Sequence, residues 1–420
     1  MFFLSKSQLL LFFLVMCFLS GNAQEEITTT KVLLGARKIE QVKFDSIQLA
    51  FLKNYNHNLR LIDNVEFRTE TRDLKLSRQE YAVRIKPNSL RGRLADKKLY
   101  NSKINEVQVQ GRIRFMEELE DRYYLLVAYI FNERLIKAYN YRKTQLDDKI
   151  RILKPDIYTE NFNINDLIDS EEALFNNQII LQNLQHTQTY YSALLQTMVG
   201  NSKNNNQLNS DDIVTPEQII ENAFLFKAPK DNLEIELKKI KLETIEDEMN
   251  YDVAKSKKII DFVQFKYGGK NSEFFDENFA IGMGINLPFF GNTKKIRGDY
   301  YFKKLDTESE ILELQIDKEK QVNTAEENFR KIATNYQGYK KQAANSSVSS
   351  LLETYSKIEG ISPIILLKLK MSEHRKNIEI IKIEQQLYET YIEMLVSKNI
   401  LFQTPFKNFL STNTLSFTID

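Results

Sequence analysis

Two hydrophobic periods alternate along the chain. Between Phe279 and Leu287 the pattern has period two: Phe279, Ile281, Met283, Ile285 and Leu287 are bulky and apolar, while Ala280, Gly282, Gly284 and Asn286 between them are small or polar. This predicts a strand with one apolar face and one nearly bare face. A soluble sandwich strand keeps polar residues outside and packing bulk inside. Here the apolar set suits lipid and the small set suits a barrel lumen. Pro288 ends the ladder because it has no amide to donate, and Gly291-Asn292 turns the chain. From Thr293 the period becomes seven: Val322, Ala325, Phe329, Ile332, Tyr336, Tyr339 and Ala343 alternate spacings of three and four, the a/d seam of a coiled coil.

Both periods recur. Ile39, Val42, Phe44, Ile47, Leu49, Ala50 and Leu52 predict a helix over Lys38 to Leu59. Val65, Phe67, Thr69 and Thr71 then alternate with Glu66, Arg68, Glu70 and Arg72, and Tyr81, Val83 and Ile85 with Ala82, Arg84 and Lys86. These strands each have a charged face, which a water-filled lumen tolerates and a dry core does not. A long helix is expected from Leu90 to about Ile152, with a dense apolar centre at Tyr123 to Phe131, broken at Lys154-Pro155-Asp156. Its return, from about Asn165 to Met198, carries the seam Leu174, Leu181, Leu184, Gln188, Tyr191, Leu195 and Met198. Thr215-Pro216-Glu217-Gln218 opens a further helix with a capping box, interrupted at Pro229 and continuing to about Lys258. Val263, Phe265 and Tyr267 predict a third strand, ending at Gly268-Gly269. The helix after the fourth strand reaches about Ala344, resumes over Ser349 to Ile358 and turns at Glu359 to Pro363. The last helix carries Ile380, Ile383, Leu387, Tyr391 and Met394, and a strand-like tail covers Leu415 to Ile419.

The order helix, strand, strand, long helix, turn, long helix therefore occurs twice. Tyr81 and Phe279 are 198 residues apart, Gly92 and Gly291 are 199 apart, and Ile164 and Ile361 are 197 apart. That agreement reads as a tandem duplication: residues 24–200 form the first repeat, 201–213 a polar asparagine-rich linker, 214–402 the second repeat and 403–420 a C-terminal tail. The expected fold class is mostly α with a membrane β-barrel, built from long coiled-coil hairpins and four strands per protomer. An open four-stranded sheet leaves two unsatisfied edges in lipid. A homotrimer removes them, closing a 12-stranded barrel over an α-helical tunnel.

The start of the chain sets the compartment. Lys6, the apolar run Leu9 to Leu19 and the small residues Gly21 and Ala23 predict an export signal over residues 1–23. No later stretch has 18 consecutive apolar residues, so a bilayer would be entered through strands. Cys17 is the one cysteine, which leaves the mature chain without disulfides, zinc-thiolate sites or a cysteine nucleophile. With 58 basic and 57 acidic side chains there is no general attraction to nucleic acid. Thirteen glycines and seven prolines in 420 residues favour long helices over a loop-rich enzyme.

The run FAIGMGINLPFFGN, followed by Lys294-Lys295 and a long helix, resembles the strand-to-helix joint of the TolC-like outer membrane efflux proteins. Tyr355 to Leu366 (YSKIEGISPIIL) looks like the second hairpin turn of that family. The first-repeat strands depart from it in carrying more charge, and the asparagine-proline pair usual near the end of the first helix is absent at Asn54 to Asn58. The resemblance implies a trimeric channel-tunnel in the outer membrane with its helical part in the periplasm. It also implies an inner-membrane transporter and a periplasmic adaptor as partners, with the hairpin turns forming the closed inner end and meeting the adaptor. By position that docking role falls on Asp156 and Asp166 in the first repeat and on Glu359, Gly360, Ile361, Ser362 and Pro363 in the second.

The remaining candidates have plain readings. Gly282-Met283-Gly284 lies inside a strand and lacks the third glycine and helix start of a phosphate loop. His57, His186 and His374 are too far apart in sequence to suggest a metal site. Asp156, Asp166, Asp169, Glu171 and Glu172 suit either a cation-selective ring in a trimer or a helix N-terminus. Tyr336 and Tyr339 read as seam packing. With no catalytic set, cofactor motif or metal cluster to nominate, the function expected is passive conduction. The rival is a periplasmic coiled-coil adaptor or scaffold without a barrel.

Overall fold

A computed structural model describes residues 27–55, 61–71, 79–158, 162–199, 208, 213–226, 232–268, 279–286, 293–358, 360–403, 405–412 and 416–417. The expected leader, most of the polar linker, His57, Pro229, Leu287, Pro288, the Gly291-Asn292 turn and Glu359 lie outside these residues, as does the side chain of Asp156.

Helix α1 (Thr29–Leu34) begins where the Thr28 hydroxyl accepts the Lys31 amide at 3.2 Å. A 3-10 turn (Gly35–Lys38) and an extended Ile39 separate it from α2 (Glu40–Asn54). The single helix expected from Lys38 is thus corrected: Lys38 belongs to the turn, and α2 ends before Tyr55. Strands β1 (Ile62–Thr71) and β2 (Gln79–Pro87) lead into α3 (Leu90–Leu153). The expected proline break appears as a 3-10 turn over Lys154–Tyr158 before α4 (Ile164–Val199). The capping box forms, with the Thr215 hydroxyl accepting the Gln218 amide and the Gln218 side chain accepting the Thr215 amide. The helix it opens, α5 (Pro216–Asn222), is short. Asn232 caps a fresh start at α6 (Leu233–Ser256). Strands β3 (Ile260–Gly268) and β4 (Phe279–Ile285) precede α7 (Thr293–Ala344), which stops at Asn345. Ser346 caps α8 (Ser347–Tyr355), Gly360 takes the left-handed φ of 84°, and α9 (Pro363–Ser397) returns. A 3-10 turn (Ile400–Phe402) and the short pair β5 (Phe406–Lys407) and β6 (Ser416–Phe417) complete the described chain.

The chain divides into two compact units, each drawing on both halves of the sequence. The first comprises the described residues of Met1–Glu40, Phe115–Pro229 and Lys320–Asp420; the second comprises those of Gln41–Arg114 and Lys230–Glu319.

The first unit has a dense apolar core at the expected centre of α3. Leu119, Tyr123, Leu126 and Phe131 are buried against Phe329 of α7 and Leu387, Tyr388 and Ile392 of α9, with the Phe131 and Tyr388 rings edge to face at 5.0 Å. Both described ends of the chain close on this centre. The Tyr123 hydroxyl donates to the Lys407 carbonyl at 3.0 Å and accepts the Phe409 amide at 3.2 Å. Fully buried Asn408 donates to the hydroxyls of Thr29 and Thr30 at 2.9 and 3.0 Å.

Arg122, fully buried, bonds three ways: to the Val32 carbonyl at 2.5 Å, the Met198 carbonyl at 3.0 Å and the Glu118 carboxylate at 2.8 Å. Gly35 makes room for it, since a Cβ there would lie 2.6 Å from the guanidinium and 2.7 Å from the Met198 carbonyl.

Helices α3 and α4 pack antiparallel through the expected seam, and its polar member is explained. Asn132 donates to the Leu184 carbonyl at 2.9 Å and to the Gln188 side chain at 2.7 Å. Buried Asn177, a seam position that apolar periodicity passes over, donates to the Tyr139 carbonyl at 3.0 Å. In α7 the seam is buried at Ala325, Phe329 and Tyr336, but Tyr339 is exposed. Seam packing at Tyr339 is therefore corrected: it lines an open cleft of about 330 Å³ with Ile332, Asn335, Ile383 and Gln386.

The second unit is built differently. Its buried apolar side chains, among the described residues, are Ala82, Leu99, Val109 and Leu233. Its helices are joined mainly by polar links: Lys304 to Glu246 at 2.5 Å, Lys318 to Glu234 at 2.9 Å, Arg114 to Asp45 at 2.8 Å, and Ser102 to Asp247 at 2.6 Å. The partly exposed lysine–glutamate pairs contribute little individually in water, whereas Asp45, Ser102 and Asp247 are buried. Meanwhile Phe302, Leu305, Leu312 and Ile316 of α7 stand exposed at heptad spacing, as do Phe44, Ile47 and Phe51 of α2. Both stripes have heptad spacing and are uncovered among the described residues.

A two-faced sheet and the hairpin ends

Strands β1 to β4 form one antiparallel sheet in the order β1-β2-β3-β4. The register aligns the apolar residues into rows: Phe67, Val83, Phe265 and Ile281 in one; Val65, Ile85, Val263 and Met283 in the next. At the end away from the helices the row is Thr69, Tyr81, Tyr267 and Phe279, with the last two rings 5.1 Å apart. Among the described residues nothing covers this face. Phe67 is 82% exposed, Ile281 75% and Phe279 73%. Strand lengths of 10, 9, 9 and 7 residues compare with the roughly 9–11 that a tilted strand needs to cross a bilayer. An aromatic row at one margin is the expected girdle of such a band.

The opposite face is polar and charge-compensated. Glu66 accepts from Lys86 and from Arg68 at 3.2 Å, with Arg84 4.0 Å away. Lys266 lies between Glu70 and Glu80 at 3.7 and 3.6 Å. Arg84 also donates to the Gln264 side chain at 3.0 and 3.2 Å and stacks over the Phe262 ring at 3.9 Å. Ala280, Gly282 and Gly284 of β4 fall on this face. Gly284 is required there, because a Cβ would collide with the Phe262 ring, over which Arg84 is stacked. Gly284→Ala is expected to destabilise the assembled protein by about 1–3 kcal/mol through overpacking, read as a lower melting temperature in detergent, whereas Gly282→Ala, with 4.0 Å to its nearest neighbour, is expected to be neutral. Asn286 lies one residue beyond β4 and donates its amide to the Ile259 carbonyl at 2.8 Å.

The hairpin-end candidates are partly brought together. Asp166, in the first turn of α4, pairs with Lys368 of α9 at 3.4 Å and so links the two hairpins within the first unit. Lys149 is buried nearby; burial, and then the Lys368 charge, lower its ammonium pKa, while Asp166 and Asp169 oppose the shift. Gly360, Ser362 and Pro363 are exposed and Ile361 half-buried, with no bond joining them to Asp166 among the described residues. Higher on the hairpins, Glu217 of α5 accepts from Tyr336 at 3.0 Å and from Lys340. Burial, reinforced by the Glu384 charge, pushes Tyr336 up to about 12. No group of His, Cys, Asp or Glu suited to a metal occurs among the described residues.

No protein-family model and no curated protein sequence matches this chain. Solved structures do. The open-state MtrE outer membrane channel of Neisseria gonorrhoeae superposes with a TM-score of 0.65 over 88% of this chain and 88% of that one, at 9% identity. The chain has a TolC-like fold. The outer membrane protein VceC of Vibrio cholerae (TM-score 0.62, 9% identity, 88% of this chain and 95% of that one) and the Campylobacter jejuni CmeC outer membrane channel (0.61, 11%, 88% and 84%) agree. Within the TolC-like fold, sequence reasoning found the two faces of β4 and both turns. It missed the Arg84–Phe262–Gly284 stack, the Asp166–Lys368 link and the Arg122 cradle. All three join residues far apart in sequence, and only the strand register carried a usable signal.

Proposed function

We propose that the chain is the outer membrane channel-tunnel component of a multi-part efflux or secretion system. Three copies close a barrel, since three times four strands gives an even-stranded closure within the usual range. The observation that carries this reading is the open sheet. It has an uncovered apolar face, a polar face, and edge strands β1 and β4 each paired on one side only among the described residues. Lipid excludes such edges, so another copy must satisfy them. The unpartnered heptads of α2 and α7 support the same conclusion for the helices.

In this reading Phe279, Ile281, Met283, Ile285 and Leu287 face lipid, and Ala280, Gly282, Gly284 and Asn286 face the lumen. Asp156, Asp166 and residues 359–363 lie at the periplasmic tip, where an adaptor of an inner-membrane transporter docks. Opening would splay the hairpins, breaking seam contacts and the Asp166–Lys368 link. The chain performs no chemistry, and the partner pump supplies the energy. Cell fractionation tests this: the protein is expected in the outer membrane and in solution only with detergent. Recovery from the soluble periplasm would leave the scaffold reading in its place.

A further inference from the structure

The helix-joined end of the sheet carries cations that conduction does not use. The chain crosses this end four times on one level: Asn88 donates its amide to the Leu61 carbonyl, and Asn286 to that of Ile259, both at 2.8 Å. The helices meeting it are also in register. Tyr300 of α7 donates to Asp252 of α6 at 2.8 Å and Lys304 pairs with Glu246 at 2.5 Å. This antiparallel register sets Lys294, Lys295 and Arg297 level with Lys255, Lys257 and Lys258. Ser102 of α3 meets Asp247 at 2.6 Å and Lys103 lies 3.9 Å from Glu248, which brings Arg91 and Arg93 to the same level.

Arg93 and Lys258 are half-buried and the other cations of this set are exposed. None of them forms an ion pair among the described residues. The acids near this level are Asp63, Asp96, Asp252, Asp261 and Asp299, five against the eight cations, so positive charge is in excess. The placement also opposes local electrostatics. Helices α3 and α7 have no acidic residue in their first turns, where the positive helix end favours anions and disfavours cations. The five acids of the chain offset that cost in part, and negative charge from outside the chain would offset the rest. The apolar face begins immediately beyond, at Ile260 and Ile285. The complementary partner therefore carries anionic groups along the margin of an apolar layer.

We infer that this collar, with Lys257, Lys294 and Lys295 exposed at its rim beside the half-buried Lys258, binds the phosphate headgroups of anionic phospholipids in the leaflet on the helix side of the membrane, fixing the depth of the sheet. The inference rests on the sheet being membrane-spanning. Full-length protein and the variant Lys257→Gln/Lys258→Gln/Lys294→Gln/Lys295→Gln are reconstituted in phosphatidylcholine vesicles with and without phosphatidylglycerol. Lipid retained after mild detergent extraction is then measured by native mass spectrometry. Because each basic side chain near an anionic surface contributes roughly fivefold in affinity, the unmodified protein is expected to retain phosphatidylglycerol over phosphatidylcholine by about tenfold or more, and the variant to show little preference.

Equal retention by the unmodified protein overturns the inference, as does a preference that the variant keeps. Displacement of the retained lipid by millimolar inorganic phosphate also overturns it, since that marks a free-anion site. Both proteins are expected to insert into pure phosphatidylcholine, measured by flotation after an alkaline wash. Failure of both to insert overturns the membrane reading itself, whereas insertion without a headgroup preference overturns the collar alone.

Discussion

Ile281→Arg is expected to abolish recovery of the protein in the outer membrane. Ile281 lies in the row Phe67, Val83, Phe265 and Ile281, near the middle of the uncovered face, and is 75% exposed in the single chain. A substitution at so exposed a position would be nearly neutral in a water-soluble protein. In a barrel wall an arginine at mid-depth costs roughly 2–4 kcal/mol, and it recurs in every copy of the closed assembly. The neighbouring Gly282→Ser, one residue along and on the polar face, is expected to leave assembly intact. The readout is outer membrane recovery and the detergent-resistant oligomer of each variant. Normal assembly of Ile281→Arg would show that this face does not meet lipid.

The second large effect is expected at Arg122. Its guanidinium is fully buried and holds together α1, the end of α4 and, through Glu118, its own helix. Arg122→Leu leaves the Val32 and Met198 carbonyls and the Glu118 carboxylate without their donor. Removing one partner of a buried charged network costs roughly 3–5 kcal/mol, and the partial exposure of Glu118 (21%) places this case toward the lower figure. Gly35→Ala is expected to be similarly damaging, because its methyl meets the Met198 carbonyl as well as the guanidinium; combining the two changes therefore restores little. Thermal melting of the helical signal and trypsin sensitivity in detergent measure both variants. A melting temperature unchanged in Arg122→Leu would contradict the structural role.

Much of the fold was legible because period and punctuation are local. The alternation at Phe279 to Ile285, the proline break after α3, the capping box at Thr215 and the Gly360 turn each depend on a few adjacent residues. The element order followed from them. Boundaries failed where a neighbour in space decided them: α1 closes on the C-terminal segment through Asn408, and no periodicity within residues 27–40 reports that contact. The polar seam position Asn177 is passed over and the exposed Tyr339 misread for the same reason, since heptad spacing gives the stripe but not what lies opposite. The charged faces of β1 and β2 were visible as charge, while their compensation through Lys266 and Gln264 depends on β2 pairing with β3, about 180 residues away in sequence. The sparse core of the second unit was also hidden, because its exposed heptads look identical in sequence to buried ones.

In the proposed trimer one chain supplies a third of a pore wall. Imaging of detergent-purified particles by electron microscopy tests it most directly. Three-fold symmetric particles are expected, in which twelve strands close at one end and paired helical hairpins continue from it. A compact particle containing one chain, or an assembly whose four-stranded sheets remain separate, would contradict it.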